Sequence, residues 1–385
     1  MGRNVRRANM ELLRIVAMGM VVVLHYLANS IATVPEGSMQ GTDVVYAVLE
    51  SLCIVAVNVY VLISGYFLSE AEFSPVRPVR VIGQTLFYTV FIPLVLALFS
   101  VLPFSEVFNP YHIWNSIFPV QSGHYWFVSA YVVMLLFSPF LNLGVKKLEK
   151  RQLLWALGAL LLFFCIGKTL SPLQFATDRY GYDFGWFMVL YLIGACIRRF
   201  GTGRFCNMRR GLALYLGSAA VTAGAELLLT VLCKKGVGLA YYWSVPFHYN
   251  FLCNLTGALG LFFAFLHMDI KEGRAAAAIR FISPAVFGVY LIHGQADVAP
   301  RWFGWVNALT GRLGEMCTGS AAHFSWQEGA AMPVWNFLLL LAAHVAMVFT
   351  VCIAVDKVRA LLFLAVKRLA GRIGLGRSAH LLRRP

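Results

Sequence analysis

Apolar residues in this 385-residue chain gather into long, nearly unbroken runs instead of alternating with polar ones. A helix needs about 20 consecutive apolar residues to cross a bilayer. Ten candidate segments stand out, at 10–28, 44–67, 81–102, 125–145, 152–170, 184–197, 211–233, 247–267, 282–295 and 334–355, the sixth and ninth being short of that length. Lipid offers no partner for a free backbone amide, so each run is expected to satisfy its own hydrogen bonds as a helix. The pattern predicts an all-α, polytopic integral membrane protein with about ten transmembrane helices.

The polar positions between these runs set an orientation. With the N-terminus inside, 25 of the 32 Lys and Arg fall on inner segments. The outer loops hold only Lys168, Arg179, Lys234, Lys235, Arg301 and Arg312. Positive charge is retained on the cytoplasmic side, so both termini are expected there, in a multi-pass protein of the cell (plasma or inner) membrane. The first span follows Arg3, Arg6 and Arg7 as a signal peptide would, but Arg14 and His25 interrupt it and further spans follow, which favours an uncleaved anchor. One long outer segment, 296–332, carries Trp302, Phe303, Trp305, Phe324 and Trp326, and reads equally as a lid or as an aromatic belt. Residues 1–355 form the membrane domain. Residues 356–385 interleave apolar and basic positions and are expected to make a cytoplasmic amphipathic tail against lipid.

Composition excludes the other classes. Hydrophobic residues make up 59% and charged residues 13%, with a mean hydropathy of +0.72; a soluble domain carries about a quarter charged residues. The net charge of +15 is broken into short clusters by the spans, so it marks topology and not a nucleic-acid surface. Eight cysteines have no C-x-x-C spacing, and the nine histidines show no ligand spacing, so no metal is expected.

Ionisable side chains within spans are costly and need a partner or a task. Arg14 and His25 lie 11 residues apart in the first span, separated by IVAMGMVVVL. At 100° per residue this puts both on one helix face, ~16 Å apart along the axis. Alone, Arg14 reads as a snorkelling residue and His25 as a buried structural histidine; together they read as the wall of a polar tunnel. Arg77 and Arg80 follow the second span and present two guanidinium forks three residues apart. Glu226 lies within the seventh span, and Tyr290 and His293 share a face of the ninth; structural packing is the competing reading for all three.

These residues fall in the order of a known family. The chain resembles the membrane-bound acyltransferase family 3, polytopic enzymes that acylate sugars of the cell envelope. Asn9-Met-Glu-Leu-Leu-Arg14, ten residues and His25 are similar to its R-x10-H signature. Asn58-Val-Tyr-Val-Leu-Ile-Ser64-Gly-Tyr-Phe67 is similar to its second-span S-G-Y/F run, and Arg77-x-x-Arg80 stands in the place of its R-x-x-R. His124-Tyr-Trp126-Phe127 through Asn142, Tyr191-Leu-Ile-Gly194 and Ser283 through His293 follow in family order.

The resemblance implies a membrane O-acyltransferase, with acetyl-CoA as the expected donor and an envelope glycan or lipid-linked sugar as acceptor. His25 would be the catalytic group, while Arg14, Arg77 and Arg80 would hold the phosphate-bearing part of the donor. Asn58, Ser64, Trp126, Tyr131, Glu226, Tyr290 and His293 are candidates to line the cavity. Many polysaccharide-modifying members carry a glutamate where this chain has Tyr131. Self-association is left open. The alternatives are a secondary transporter or flippase using Arg14, His25 and Glu226 as a polar path, and a polymerase or ligase of lipid-linked sugars, which the long outer segment keeps open.

Overall fold

The computed structural model describes residues 7–30, 41–170, 179–203, 206–240, 242–318 and 333–372. Helices α1 (Ala8–Ser30), α2 (Gly41–Cys53), α3 (Ala56–Leu68) and α4 (Val76–Leu98) open the chain. Two short helices, α5 (Phe104–Val107) and α6 (Pro110–Ile117), precede α7 (Trp126–Lys147). Then come α8 (Lys150–Leu161), a π turn at Leu162–Ile166, α9 (Gly167–Leu170), α10 (Phe184–Phe200) and α11 (Met208–Lys234). The chain continues with α12 (Leu252–Leu266), α13 (Arg274–Ile282), α14 (Val286–His293), α15 (Ala299–Thr318) and α16 (Val334–Arg372). No strand occurs among the described residues.

Among the described residues, nine helical stretches are long and apolar enough to cross a membrane, α2 and α3 together forming one of them. The expected sixth span, α10, falls just short at 17 residues. Its contacts nevertheless carry it through the same layer as α7. At one end Tyr182, just before α10, packs at a tilt against Trp126 with ring centroids 4.5 Å apart. At the other end Arg199 donates to the backbone oxygens of Val145 and Leu148, where α7 finishes. The termini of the inner helices follow local chemistry: Asp183 accepts from the Trp186 amide to start α10, and Asn207 accepts from the Arg210 amide to start α11.

α1, α3, α10 and α12 form the centre, with α3 buried along almost its whole length. Glycines set the closest approach. A Cβ on Gly65 would lie 2.2 Å from the Tyr191 carbonyl oxygen and one on Gly194 2.5 Å from that of Leu62, so α3 and α10 pack backbone to backbone. Gly211 and Gly260 do the same for α11 and α12.

Two expectations change. The outer segment 296–332 is not an extended loop: Ala299–Thr318 is a helix whose Trp302 is buried, and 319–332 lie outside the described residues. The last span does not end at 355, because α16 runs unbroken for 39 residues into the basic tail; residues 373–385 lie outside the described residues.

Candidate functional site

α1 is continuous from Ala8 to Ser30, so Arg14 and His25 keep the common face their spacing predicts. His25 meets α14 across the bundle. Its Nδ1 lies 2.8 Å from His293 Nε2, and His293 Nδ1 lies 2.6 Å from the Val289 carbonyl oxygen one turn back. A carbonyl can only accept, so His293 carries its proton on Nδ1 and offers a lone pair at Nε2. His25 must therefore donate from Nδ1, and its own Nε2 holds the unshared lone pair. Two residues 268 positions apart thus fix one another's tautomer.

His293 is fully buried and held on every side. Trp302 of α15 packs edge-on against its ring at 6.2 Å. Tyr125 donates to the Leu291 carbonyl at 2.6 Å, pinning the last turn of α14 to the start of α7. Beyond α14, Gln295 and His112 both bond Asp297, and the Ala296 amide donates to His124. His124 sits outside the spans, and burial lowers its pKa, Asp297 opposing that fall only in part, which keeps its Nε2 free to accept the amide. An apolar groove of about 650 Å³ between α4, α15 and α16 reaches the other side of His293.

His25 opens onto a cavity of about 90 Å³ walled by Tyr60, Trp126, Phe127, Tyr249, Phe287 and Tyr290. Tyr60 continues it towards Arg14, donating its hydroxyl to the Arg14 carbonyl at 2.6 Å. Arg14 itself pairs with Glu11, which also accepts from the Ser283 hydroxyl. Beside it Ser64 and Tyr131 share a hydrogen bond of 3.0 Å, and both Arg14 and Arg77 act electrostatically on the Tyr131 hydroxyl. Arg77 and Arg80 stand in the first two turns of α4 and not in a loop. Arg77 is half-buried and donates to the Glu72 carbonyl, while Arg80 is exposed.

The structure thus gathers His25, Trp126, Tyr290 and His293 at one end, and Arg14, Ser64, Tyr131 and Arg77 at the other. Asn58 stands apart: it accepts from the Trp186 indole and donates to the Tyr249 carbonyl, so its amide is spent on packing. Glu226 does not touch His25. It lies near Glu50 and the Trp243 indole on the far side of α2, buried and with neither oxygen hydrogen-bonded among the described residues. The partner of His25 is His293. The partner of Arg14, Glu11, was passed over as an ordinary inner charge, although its i,i+3 spacing is visible in the sequence.

A histidine of fixed tautomer, set in an aromatic cavity with cations one helix length away, is equipped to move a proton beside a ligand with an anionic tail. A family model described as an acyltransferase domain matches residues 7–357. Neither the curated proteins nor the solved structures yield a match.

Proposed function

Because the chain belongs to acyltransferase family 3, we propose that this multi-pass membrane acyltransferase transfers an acetyl group from acetyl-CoA to a hydroxyl of a cell-envelope carbohydrate. In this reading the donor enters from the cytoplasmic side of the plasma or inner membrane. Its phosphates meet Arg14, Arg77 and Arg80 near the N-terminus of α4, where helix amides and guanidinium groups both favour anions. The thioester lies in the aromatic cavity beneath His25.

The observation that carries the proposal is the hydrogen-bonded chain from Val289 through His293 to His25, which leaves Nε2 as the basic nitrogen of a ring that lines the cavity. That nitrogen takes the proton of the acceptor hydroxyl as its oxygen attacks the thioester carbonyl carbon. The new C–O bond forms, the C–S bond then breaks, and His25 returns the proton to the departing sulfur, so coenzyme A leaves as the thiol. The imidazolium formed meanwhile keeps its Nδ1–H on the neutral His293, which stabilises the positive charge without a counter-ion. A transport path through Arg14, His25 and Glu226 has less support, since neither Arg14 nor Glu226 lines the cavity on His25.

The test is transfer of label from acetyl-CoA carrying a radiolabelled acetyl group in membranes that hold the protein. Replacing His25→Ala removes the base and should lower transfer about 10²- to 10⁴-fold. Undiminished transfer by that variant overturns the proposal.

A further inference from the structure

A second cavity lies on the other side of the aromatic wall of the His25 site. It measures about 410 Å³, the size of a small-ligand site, and is bounded by Tyr46, Glu50, Tyr180, Tyr182, Trp243 and His248. Tyr46 and Trp243 hold their rings within 16° of parallel, centroids 6.0 Å apart. Glu50 stands one turn after Tyr46 on α2, beside its hydroxyl. Behind Glu50 is the buried carboxyl of Glu226, with neither oxygen hydrogen-bonded among the described residues.

The chemistry of this cavity selects its ligand. The Glu50 carboxyl and the Tyr46 hydroxyl put hydrogen-bonding atoms on the wall, so the ligand must carry several hydrogen-bonding groups of its own. Aromatic faces take up apolar C–H surface, so the same ligand must also present a flat, partly apolar side. Among the described residues that line it there is no Lys or Arg to pair a phosphate or carboxylate. A pyranose ring meets both demands, with hydroxyls at its edge and C–H bonds on its face.

The cavity also adjoins the chemistry. Trp126 and Tyr249 line the His25 cavity, Tyr182 lines this one, and the three rings pack together with centroids 4.5, 4.6 and 5.6 Å apart. Tyr182 sits at the end of a turn held by Gly181 in the left-handed region, where the Tyr249 side chain and Asn250 amide leave no space for a Cβ. One layer of rings therefore separates the two cavities.

The geometry points to the acceptor subsite: Tyr46, Glu50 and Trp243 seat a sugar ring whose free hydroxyl reaches His25 past the Trp126, Tyr182 and Tyr249 rings. This rests on the acyl-transfer reading, but its test does not need turnover. Purified full-length protein in lipid nanodiscs is titrated, without acetyl-CoA, with a panel of methyl glycosides of hexoses, deoxyhexoses and N-acetylhexosamines, and with choline. Binding is read by calorimetry.

Wild type should bind at least one glycoside. Glu50→Gln and Trp243→Ala should each weaken it about 10-fold or more, Trp243→Tyr should retain it, and Gly83→Ala on α4, where a Cβ meets nothing within 4 Å, should leave it unchanged. No glycoside binding to wild type, equal binding by Glu50→Gln and Trp243→Ala, or binding of choline alone would overturn the subsite; the last would mark a cation cage. Glycoside binding without any acetyl transfer would instead count against the acyl-transfer reading and leave the subsite standing.

Discussion

At the scale of single residues, the direction of the two histidine rings is the feature with most consequence. Deleting His293 frees His25 to rotate and to adopt either tautomer, without touching the cavity walls. His293→Ala should therefore lower kcat about 10- to 100-fold, a barrier increase of ~1.4–3 kcal/mol, with KM for donor and acceptor little changed. His293→Gln is the informative companion, since its amide can accept from His25 at Oε1 and donate to Val289 from Nε2. It should recover most of the rate, whereas a purely space-filling role for His293 predicts that Gln and Ala fail alike. Steady-state kinetics on the three proteins decides this. Arg14 and His25 were legible in the sequence because one helix relates them, and helical angle is a local property. Their partners were legible to different degrees. Glu11 is a local i,i+3 neighbour of Arg14, but the pairing of His25 with His293 depends on how α1 and α14 meet, and no periodicity records that.

At the scale of elements, the second-span run Ser64-Gly65-Tyr66 gains a physical meaning. Ser64 bonds Tyr131 of α7, Gly65 admits the backbone of α10, and Tyr66 stacks under Arg198, which also pairs with Glu70. Gly65→Ala would press a methyl group onto a carbonyl fixed inside a helix, and backbone cannot yield as a side-chain tip does. We expect destabilisation of about 1–3 kcal/mol or more, seen as a lower melting temperature by intrinsic fluorescence and a smaller monodisperse fraction in detergent. Gly83→Ala on α4, where a Cβ meets nothing within 4 Å, should leave both unchanged. Equal behaviour of the two variants would show that the α3–α10 contact does not limit stability. Hydrophobic runs identified the spans well because lipid imposes helix on any such run. They failed where helix formation has another cause. α15 has too little apolar length to span and forms by packing Trp302 and Val306 inward, and α16 continues past residue 355 because no proline interrupts it before Arg372.

At the scale of the whole molecule, the two halves of the proposed reaction occupy different depths. Arg14 and Arg77 stand at the end of the bundle where α1 begins and α3 ends, and the Glu50 cavity opens towards the end where α2 begins and α11 finishes. A helix rise of 1.5 Å per residue puts ~16 Å between Arg14 and His25, more than half the hydrocarbon thickness. Donor and acceptor can then reach one catalytic group from opposite sides without any large rearrangement of the bundle, provided the Arg-rich end faces the cytoplasm. The asymmetry of Lys and Arg predicts that assignment, and α10, the expected sixth span, runs alongside α7 although it is only 17 residues long. Single cysteines added at exposed positions test it directly. Glu72→Cys lies between α3 and α4 at the Arg-rich end, and Tyr111→Cys and Lys235→Cys lie at the other. On intact cells, a membrane-impermeant maleimide should add label above the wild-type background at 111 and 235, and at 72 only after permeabilisation. Labelling of 72 in intact cells would reverse the orientation, put the cationic end outside, and remove the route by which cytoplasmic acetyl-CoA reaches His25.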